Sequence, residues 1–234
     1  TIAPDARLAR VYNGIDLERF LCRPSVASHE GPLIVCVARL VEKKGLPVLM
    51  HALALMRERG TAARLRLVGS GPLEPAMRSL AETLGLSDAV RFVGTASQEE
   101  IVAKHLAEAD VFVQACVVAP DGDRDGGPTT LLEAMAIGVP VVATTLPGLS
   151  EAVPPDRAGL LAPPGDAHAL AAAIEATLQH PEEARRRALF ARRHVAAELD
   201  KAEIAAGVGP IDVVMHGATS LVFMRGACAA WRPP

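Results

Sequence analysis

The stretch PLIVCVARLVEKKGLPVLMHALALMRERG, residues 32–60, carries the pattern that decides the fold. It opens with an apolar run, passes through a short charged segment and continues with apolar residues three or four positions apart. A short apolar run bounded by polar residues is typical of a buried strand, and the later spacing is typical of an amphipathic helix. The stretch therefore predicts a β-strand followed by a helix.

The same alternation continues along the chain. Strand-like apolar runs lie at residues 32–40, 63–69, 90–94, 109–115, 139–144 and 159–163. Helical spacing follows at residues 45–59, 72–84, 98–107, 129–137 and 167–178. Strands that read as continuous apolar runs are typical of parallel sheets covered on both faces. The pattern predicts an α/β fold, a Rossmann-like doubly wound parallel sheet.

Composition excludes several classes of protein. The 234 residues include 50% apolar and 22% charged side chains, which favours a folded chain over general disorder. A net charge of −3 and 3% aromatic residues argue against a nucleic-acid binder, which would show a basic footprint and stacking rings. No apolar run approaches the roughly 18 residues of a membrane helix. Four scattered cysteines predict reduced, structural thiols.

The sequence divides into three parts. Residues 1–32 read as a connector, 33–200 as the α/β domain, and 201–234 as an atypical C-terminal tail of alternating glycine and apolar residues. Residues 181–200 predict a charged helix with a solvated face. The N-terminus lacks a signal-peptide pattern, so we expect a cytoplasmic protein. The chain begins at Thr1 rather than Met, so we also expect a further N-terminal portion.

The first candidate site follows the first predicted strand of the domain. Arg39 lies at its end, and Lys44 and Gly45 lie at the start of the next helix. Ligands of open α/β sheets bind beyond the carboxyl ends of the strands, and helix N–H groups favour anions. Two cations there predict a diphosphate site, although two ordinary surface cations would give the same pattern.

The second candidate is DGDRDGGPTTLLEAMAIGVPVVAT, residues 121–144. Asp125 and Glu133 are eight positions apart, and glycines between them let a ligand approach the backbone closely. Thr129 and Thr130 are candidate N-caps for the helix that carries Glu133. The alternative is an ordinary turn before a core helix, with Glu133 merely exposed.

Two further patterns are incomplete. Asp121, Asp123 and Asp125 match the first half of a calcium loop, but position twelve, where a bidentate Glu is required, is Leu132. Gly69-Ser70-Gly71 follows a predicted strand as in a dinucleotide fingerprint, but the third glycine position is Glu74. We therefore expect neither calcium nor a nicotinamide cofactor, and we predict no metal site.

Taken together, the residues resemble the C-terminal, donor-binding domain of retaining GT-B-type glycosyltransferases, over about residues 11 to 195. The matching segments occur in family order: VYNGIDLERF, VARLVEKKG, LRLVGSGPLE, VRFVGTASQEEI, ADVFVQAC, DGGPTTLLEAMAIGVPVVAT, GLSEAV and GLLAPPGDAHALAAAI. The resemblance is closest to bacterial enzymes of exopolysaccharide or lipopolysaccharide biosynthesis. It implies one half of a GT-B fold and a hexosyltransferase that retains anomeric configuration without a metal.

The resemblance also implies roles for individual residues. Arg39 and Lys44 would hold the donor diphosphate, and Glu133, the second acid of the family's E-x7-E motif, would bind the ribose hydroxyls. The first acid, which contacts the transferred sugar, falls on Asp125, one methylene shorter than the family's Glu. Backbone N–H groups around the sugar and phosphate would come from Gly126, Gly127, Pro128, Thr129, Thr130 and Leu131. The nucleotide pocket would be lined by Gly69, Ser70, Gly71 and Gly94.

The resemblance implies no cofactor, because the UDP- or GDP-linked nucleotide-sugar is the substrate. The glycan or lipid-linked acceptor would be bound by an N-terminal domain that this sequence lacks, in an enzyme peripherally associated with the membrane. We therefore expect the chain alone to be nearly inactive. Two alternatives are a non-enzymatic module, either a nucleotide-diphosphate binder or a degenerate interaction domain, and a sugar-nucleotide epimerase of similar architecture.

Overall fold

A computed structural model describes residues 7–11, 20, 31–127, 129–198, 212–215 and 221–225 of the chain. Nine strands lie in this part of the chain: β1 Arg7–Val11, β2 Leu33–Val37, β3 Arg64–Val68, β4 Val90–Gly94, β5 Val111–Gln114, β6 Val141–Thr144, β7 Leu160–Ala162, β8 Asp212–Met215 and β9 Leu221–Arg225. The α-helices are α1 Leu46–Glu58, α2 Glu74–Thr83, α3 Gln98–Glu100, α4 Thr129–Ile137, α5 Pro147–Ala152, α6 Ala167–Gln179 and α7 Pro181–Glu198. A 3₁₀ turn spans Glu42–Lys44, and a π-helix spans Ile101–Leu106.

Six strands form one parallel sheet in the order β4-β3-β2-β5-β6-β7. The chain starts in the middle of this sheet, winds outward to β4, and then returns past β2 to build the other half through β5. This is the doubly wound order of a Rossmann-like fold, whose ligand crevice lies where the winding reverses, between β2 and β5. The predicted fold class is confirmed.

The two faces of the sheet are buried in two separate cores, and β2 shows why its sequence is apolar throughout. Leu33, Val35 and Val37 pack on the face that α4 and α7 cover. The intervening Ile34 and Cys36 pack on the face that α1, α2 and α6 cover. Because successive side chains of a strand point to opposite faces of the sheet, both alternating sets of side chains must be apolar.

Three features differ from the sequence-based prediction. The helix predicted at 98–107 is a three-residue α-turn followed by a π-helix, and α5 was not anticipated. The predicted connector contains β1, which pairs antiparallel with β9, and β9 pairs with β8 within the unassigned tail. The pairing of β1 with β9 spans more than 200 residues of chain, so no local pattern indicates it. The pairing of β8 with β9 is local, but the sequence analysis assigned no strands to the tail. The connector residues Asn13-Gly14-Ile15-Asp16 lie outside the described residues.

The predicted charged helix is present as α7. Cys36 and Cys116 are free and buried, and burial raises the pKa of the two thiols to about 12 and about 11. Cys22 and Cys228 lie outside the described residues. Within those residues, no helix combines the length and the apolar character needed to cross a membrane.

Candidate active site

An open cleft of about 540 Å³ lies at the carboxyl ends of β2, β3, β4 and β5. The loops that follow these four strands, together with the first turn of α4, form its walls. The lining residues that are charged are Arg39, Lys43, Lys44, Asp123, Arg124 and Asp125. Four cations against two carboxylates leave the cleft positive, in a chain whose net charge is −3.

The loop after β2 brings the cations into the cleft. Arg39 is exposed, whereas Lys44 is 9% exposed at the end of the 3₁₀ turn. Gly45 then turns the chain into α1 with φ +61°, and a Cβ at this position would lie 1.9 Å from the carbonyl oxygen of Ala115. Glycine is therefore required for this loop to pack against the end of β5.

The glycine turn after β3 lies directly against the loop after β2. The amide of Leu40 donates to the carbonyl oxygen of Ser70 at 3.0 Å, and a Cβ on Gly69 would lie 2.1 Å from the carbonyl oxygen of Ala38. The Gly69 amide donates to the Gly94 carbonyl oxygen at 2.7 Å. This hydrogen bond joins the turn after β3 to the end of β4. The glycines thus let three loop backbones assemble into one wall.

The acidic loop after β5 is held to the two consecutive lysines. Asp123 forms an ion pair with Lys43 at 2.9 Å, and Asp125 forms an ion pair with Lys44. The hydrogen bond from Lys43 holds the pKa of Asp123 below its usual range. Two aspartates of the calcium-like pattern therefore have lysine partners. The described residues contain no group of three or more His, Cys, Asp or Glu side chains placed to hold a metal ion.

Helix α4 carries Glu133 at the edge of the cleft. Thr129 and Thr130 are the first two residues of this helix rather than its N-cap, and the Thr130 hydroxyl donates to the Val37 carbonyl oxygen at 3.3 Å. The N-cap interpretation is therefore wrong for both threonines, and Thr130 instead ties α4 to the end of β2. Both threonines line the cleft, and Glu133 lies one helical turn further along.

Glu133 is 5% exposed, which corrects the alternative that it is merely exposed. The Nε2 of Gln98 donates to its Oε1 at 2.8 Å, whereas its Oε2 is buried and has no hydrogen-bond partner among the described residues. Burial raises the pKa of this carboxyl, and the hydrogen bond from Gln98 opposes that rise. A buried carboxylate with one unpaired oxygen is costly, and acids with perturbed pKa values cluster at functional sites.

The structure brings most of the predicted site residues together. Those that line the cleft are Arg39, Lys44, Gly69, Ser70, Asp125, Gly126, Thr129 and Thr130. Those that do not line it, although each is within three positions of a lining residue in sequence, are Gly71, Gly94, Gly127, Leu131 and Glu133. Pro128 lies outside the described residues. The roles assigned to all of these residues stay predictions.

Other residues of the site were missed by sequence reasoning. Lys43 and Arg124 line the cleft beside residues that were singled out, so their positions in the same loops were the available signal. Asp123 also lines the cleft, although the sequence analysis noted it only as part of the incomplete calcium pattern. Thr95, Ala96 and Ile101 also line the cleft. Gln98 lies in the quoted segment VRFVGTASQEEI, but nothing indicated its contact with Glu133, because the two residues are 35 positions apart in sequence.

The fold and the cleft define one Rossmann-like half of a GT-B fold with a positive cleft at the strand ends. A family model described as "Glycosyl transferases group 1" matches residues 31–180. The chain therefore belongs to the group 1 glycosyltransferase family, as its motifs predicted.

Named relatives and solved structures agree with this membership. The chain is 42% identical over 176 residues to the putative colanic acid biosynthesis glycosyltransferase WcaL of Escherichia coli, covering 75% of this chain and 43% of that protein. It is 40% identical over 161 residues to the amylovoran biosynthesis glycosyltransferase AmsK of Erwinia amylovora, covering 69% and 39%. The chain thus spans about two fifths of the length of these relatives.

The structural match extends to crystal structures. Sucrose-phosphate synthase from Thermosynechococcus elongatus superposes with a TM-score of 0.72 at 31% identity, covering 84% of this chain and 50% of that chain. HepE of Anabaena, solved in complex with UDP, superposes with a TM-score of 0.73 at 24% identity, covering 84% and 55%. At that lower identity the match concerns the fold alone.

Proposed function

We propose that this chain is the donor-binding half of a retaining glycosyltransferase, which moves a sugar from a UDP- or GDP-linked donor to a glycan or lipid-linked acceptor. Support comes from family membership and from what the similar proteins are named for. Among them are a GDP-mannose-dependent phosphatidylinositol monomannoside mannosyltransferase of Mycobacterium tuberculosis, and HepE, which has also been crystallised with UDP-glucose.

The observation that carries the proposal is the convergence of cations on a cleft at the carboxyl ends of the central strands. Departure of a nucleoside diphosphate develops negative charge, and preorganised cations and N–H dipoles stabilise that charge. Arg39 and Lys44 hold the diphosphate in this proposal, and backbone N–H groups of residues 126–131 surround the sugar and phosphate. Glu133 binds the ribose, and Asp125 contacts the sugar.

The proposal assigns the charge stabilisation to side chains, so transfer needs no metal ion. It assigns acceptor recognition to the remainder of a full-length enzyme, which works in the cytoplasm in peripheral contact with the membrane. The chain by itself then binds nucleotide weakly and transfers sugar poorly, because binding costs several kcal/mol of lost freedom against a few charge-assisted contacts.

The test is calorimetric titration of the chain with UDP, GDP and ADP. We expect one nucleotide to bind, and we expect Arg39→Ala to weaken its binding roughly 10- to 100-fold, the value of one charged contact. Arg185→Ala is the matched control, because Arg185 is an exposed arginine of α7 that does not line the cleft. Adding a metal chelator to the calorimeter sample should leave the nucleotide affinity unchanged, because the proposal requires no metal ion.

Failure of all three nucleotides to bind would overturn the proposal and favour the degenerate interaction module. A full-length enzyme that contains this chain can also be incubated with donor and acceptor. If it binds nucleotide but transfers no sugar, the result would favour the nucleotide-diphosphate-binding module instead. Product analysis after incubation with donor separates transfer from epimerisation. Family-like transfer rates by the chain alone would contradict the expectation that it is nearly inactive.

A further inference from the structure

We propose that Gln98 is a positioning residue, which holds the Glu133 carboxylate so that its free oxygen accepts a hydrogen bond from a hydroxyl of the ligand in the cleft. The inference rests on the proposed function, because that function supplies the ligand, a ribose-bearing nucleotide. It gives Gln98 a role that no sequence motif indicates.

The contact itself is specific. Gln98 Nε2 donates to Glu133 Oε1 at 2.8 Å, an ordinary length for a hydrogen bond to a charged acceptor. The Gln98 amide therefore fixes one carboxylate oxygen and leaves the other, Oε2, buried and without a partner in the described part of the chain. A buried acceptor in this state destabilises the folded chain, and a ligand donor that reaches it recovers that cost.

The position of Gln98 is set by its own turn. Ser97 caps the turn: its hydroxyl accepts from the Glu100 amide at 3.2 Å, and the Glu100 carboxylate accepts from the Ser97 amide at 3.0 Å. This capping box fixes the backbone of the residues between its two members. Gln98 is therefore presented by an anchored turn, although Ser97 and Gln98 are both exposed.

The pair links two segments that both contribute residues to the cleft. Ile101, three residues after Gln98, lines the cleft, and so do Thr129 and Thr130, one turn before Glu133. The helix that begins at Ile101 is a π-helix, a geometry found frequently at functional sites. The hydrogen bond thus joins the loop after β4 to helix α4 where both meet the cleft.

The test compares Gln98→Met, which keeps the length of the side chain but removes the donor, with Glu99→Met, an exposed neighbour in the same turn. Each variant and the parent chain are titrated with UDP and GDP and with their 2′,3′-dideoxy counterparts. We expect Gln98→Met to weaken binding of the ribose form roughly 3- to 10-fold, the value of one hydrogen bond. The dideoxy form should bind parent and variant equally, because it lacks the hydroxyls that reach Glu133.

Other outcomes decide against the proposal in distinguishable ways. If the parent binds UDP or GDP and Gln98→Met weakens both sugar forms equally, the positioning role is overturned while the proposed function stands. If the parent binds neither nucleotide, the proposed function fails and the ribose ligand fails with it. Thermal unfolding of each variant confirms that a folded protein was titrated. Glu99→Met should match the parent in every titration.

Discussion

Asp125 and Glu133 are carboxylates eight positions apart, yet they lie in opposite kinds of environment. Asp125 belongs to the loop after β5, and its ion pair with Lys44 neutralises its charge inside the protein. Glu133 belongs to helix α4, and in the described residues its carboxylate accepts a hydrogen bond only from the neutral amide of Gln98. Both side chains are largely buried.

The difference indicates which group is poised for a ligand. A buried carboxylate paired with a lysine has satisfied much of its electrostatic requirement, whereas one with an unpaired oxygen remains costly until a partner arrives. The charge of the Asp125 carboxylate is therefore already balanced by Lys44. The Glu133 side keeps an unmet acceptor, a pattern in which stability is given up for function.

The largest expected effect comes from removing Lys44, the ion-pair partner of Asp125. Lys44→Ala removes a cation and leaves the Asp125 carboxylate unpaired beside an incoming diphosphate, so we expect nucleotide affinity to fall about 100-fold. Calorimetry with UDP and GDP measures the loss. The double variant Lys44→Ala/Asp125→Ala should recover part of it, because the repelling carboxylate is also gone.

Lys43→Ala is the comparison for that experiment, since Lys43 pairs with Asp123, whose side chain is 54% exposed. Losing Lys43 leaves an Asp123 carboxylate that water can solvate, and the proposed function gives Lys43 no contact with the diphosphate, so we expect a loss of about 3-fold or less. A double variant no better than Lys44→Ala alone would show that the Asp125 charge does not oppose the ligand.

On the other side, Glu133→Gln sharpens the comparison by removing the charge while keeping the shape. We expect the free energy of unfolding at neutral pH to rise by about 1 kcal/mol, because an uncompensated buried charge is lost. Nucleotide affinity should fall about 10-fold, because the ligand loses a charged acceptor. Denaturant unfolding and calorimetry measure the two effects.

Glu82→Gln is the matched control, an exposed residue of α2 whose replacement should change stability by less than about 0.5 kcal/mol. A destabilised Glu133→Gln chain with unchanged affinity would mean that the carboxylate serves the fold rather than the ligand.

The smallest expected effect is the pH dependence of that stability gain. Burial raises the pKa of Glu133, so the folded chain binds this proton more tightly than the unfolded chain does. The resulting stability is fully present below the unfolded value of about 4.3 and is lost as pH rises through the folded pKa. The advantage of Glu133→Gln should therefore vanish in acid and grow toward neutral pH.

Unfolding of parent and Glu133→Gln, compared pairwise between pH 4 and 7.5, measures this trend. The nucleotide affinity of both proteins should fall as the pH is lowered, because the terminal phosphate takes up a proton at about pH 6. The fall should be steeper for the parent, because only the parent also protonates the Glu133 carboxylate. A stability difference independent of pH would show that Glu133 titrates normally.

Much of the site could be predicted from local sequence. Arg39, Lys44 and the glycines after β3 lie at the ends of apolar strands, and the edge of a parallel sheet brings such ends together. The acidic loop and the start of α4 at Thr129 follow from the same reasoning. The ion pair of Asp125 with Lys44 could not be predicted in this way, because its two residues are 81 positions apart in sequence.

The sequence by itself determined the strands, the helices and the sheet that binds them, because buried strands and amphipathic helices are patterns of near neighbours. It also determined which cations and which two acids belong to the candidate site. Only the tertiary structure decided which acid is neutralised and which is left partly unpaired. That decision depends on Lys44 and Gln98, which reach the two carboxylates from other loops, and on a burial that exists only once both cores have formed.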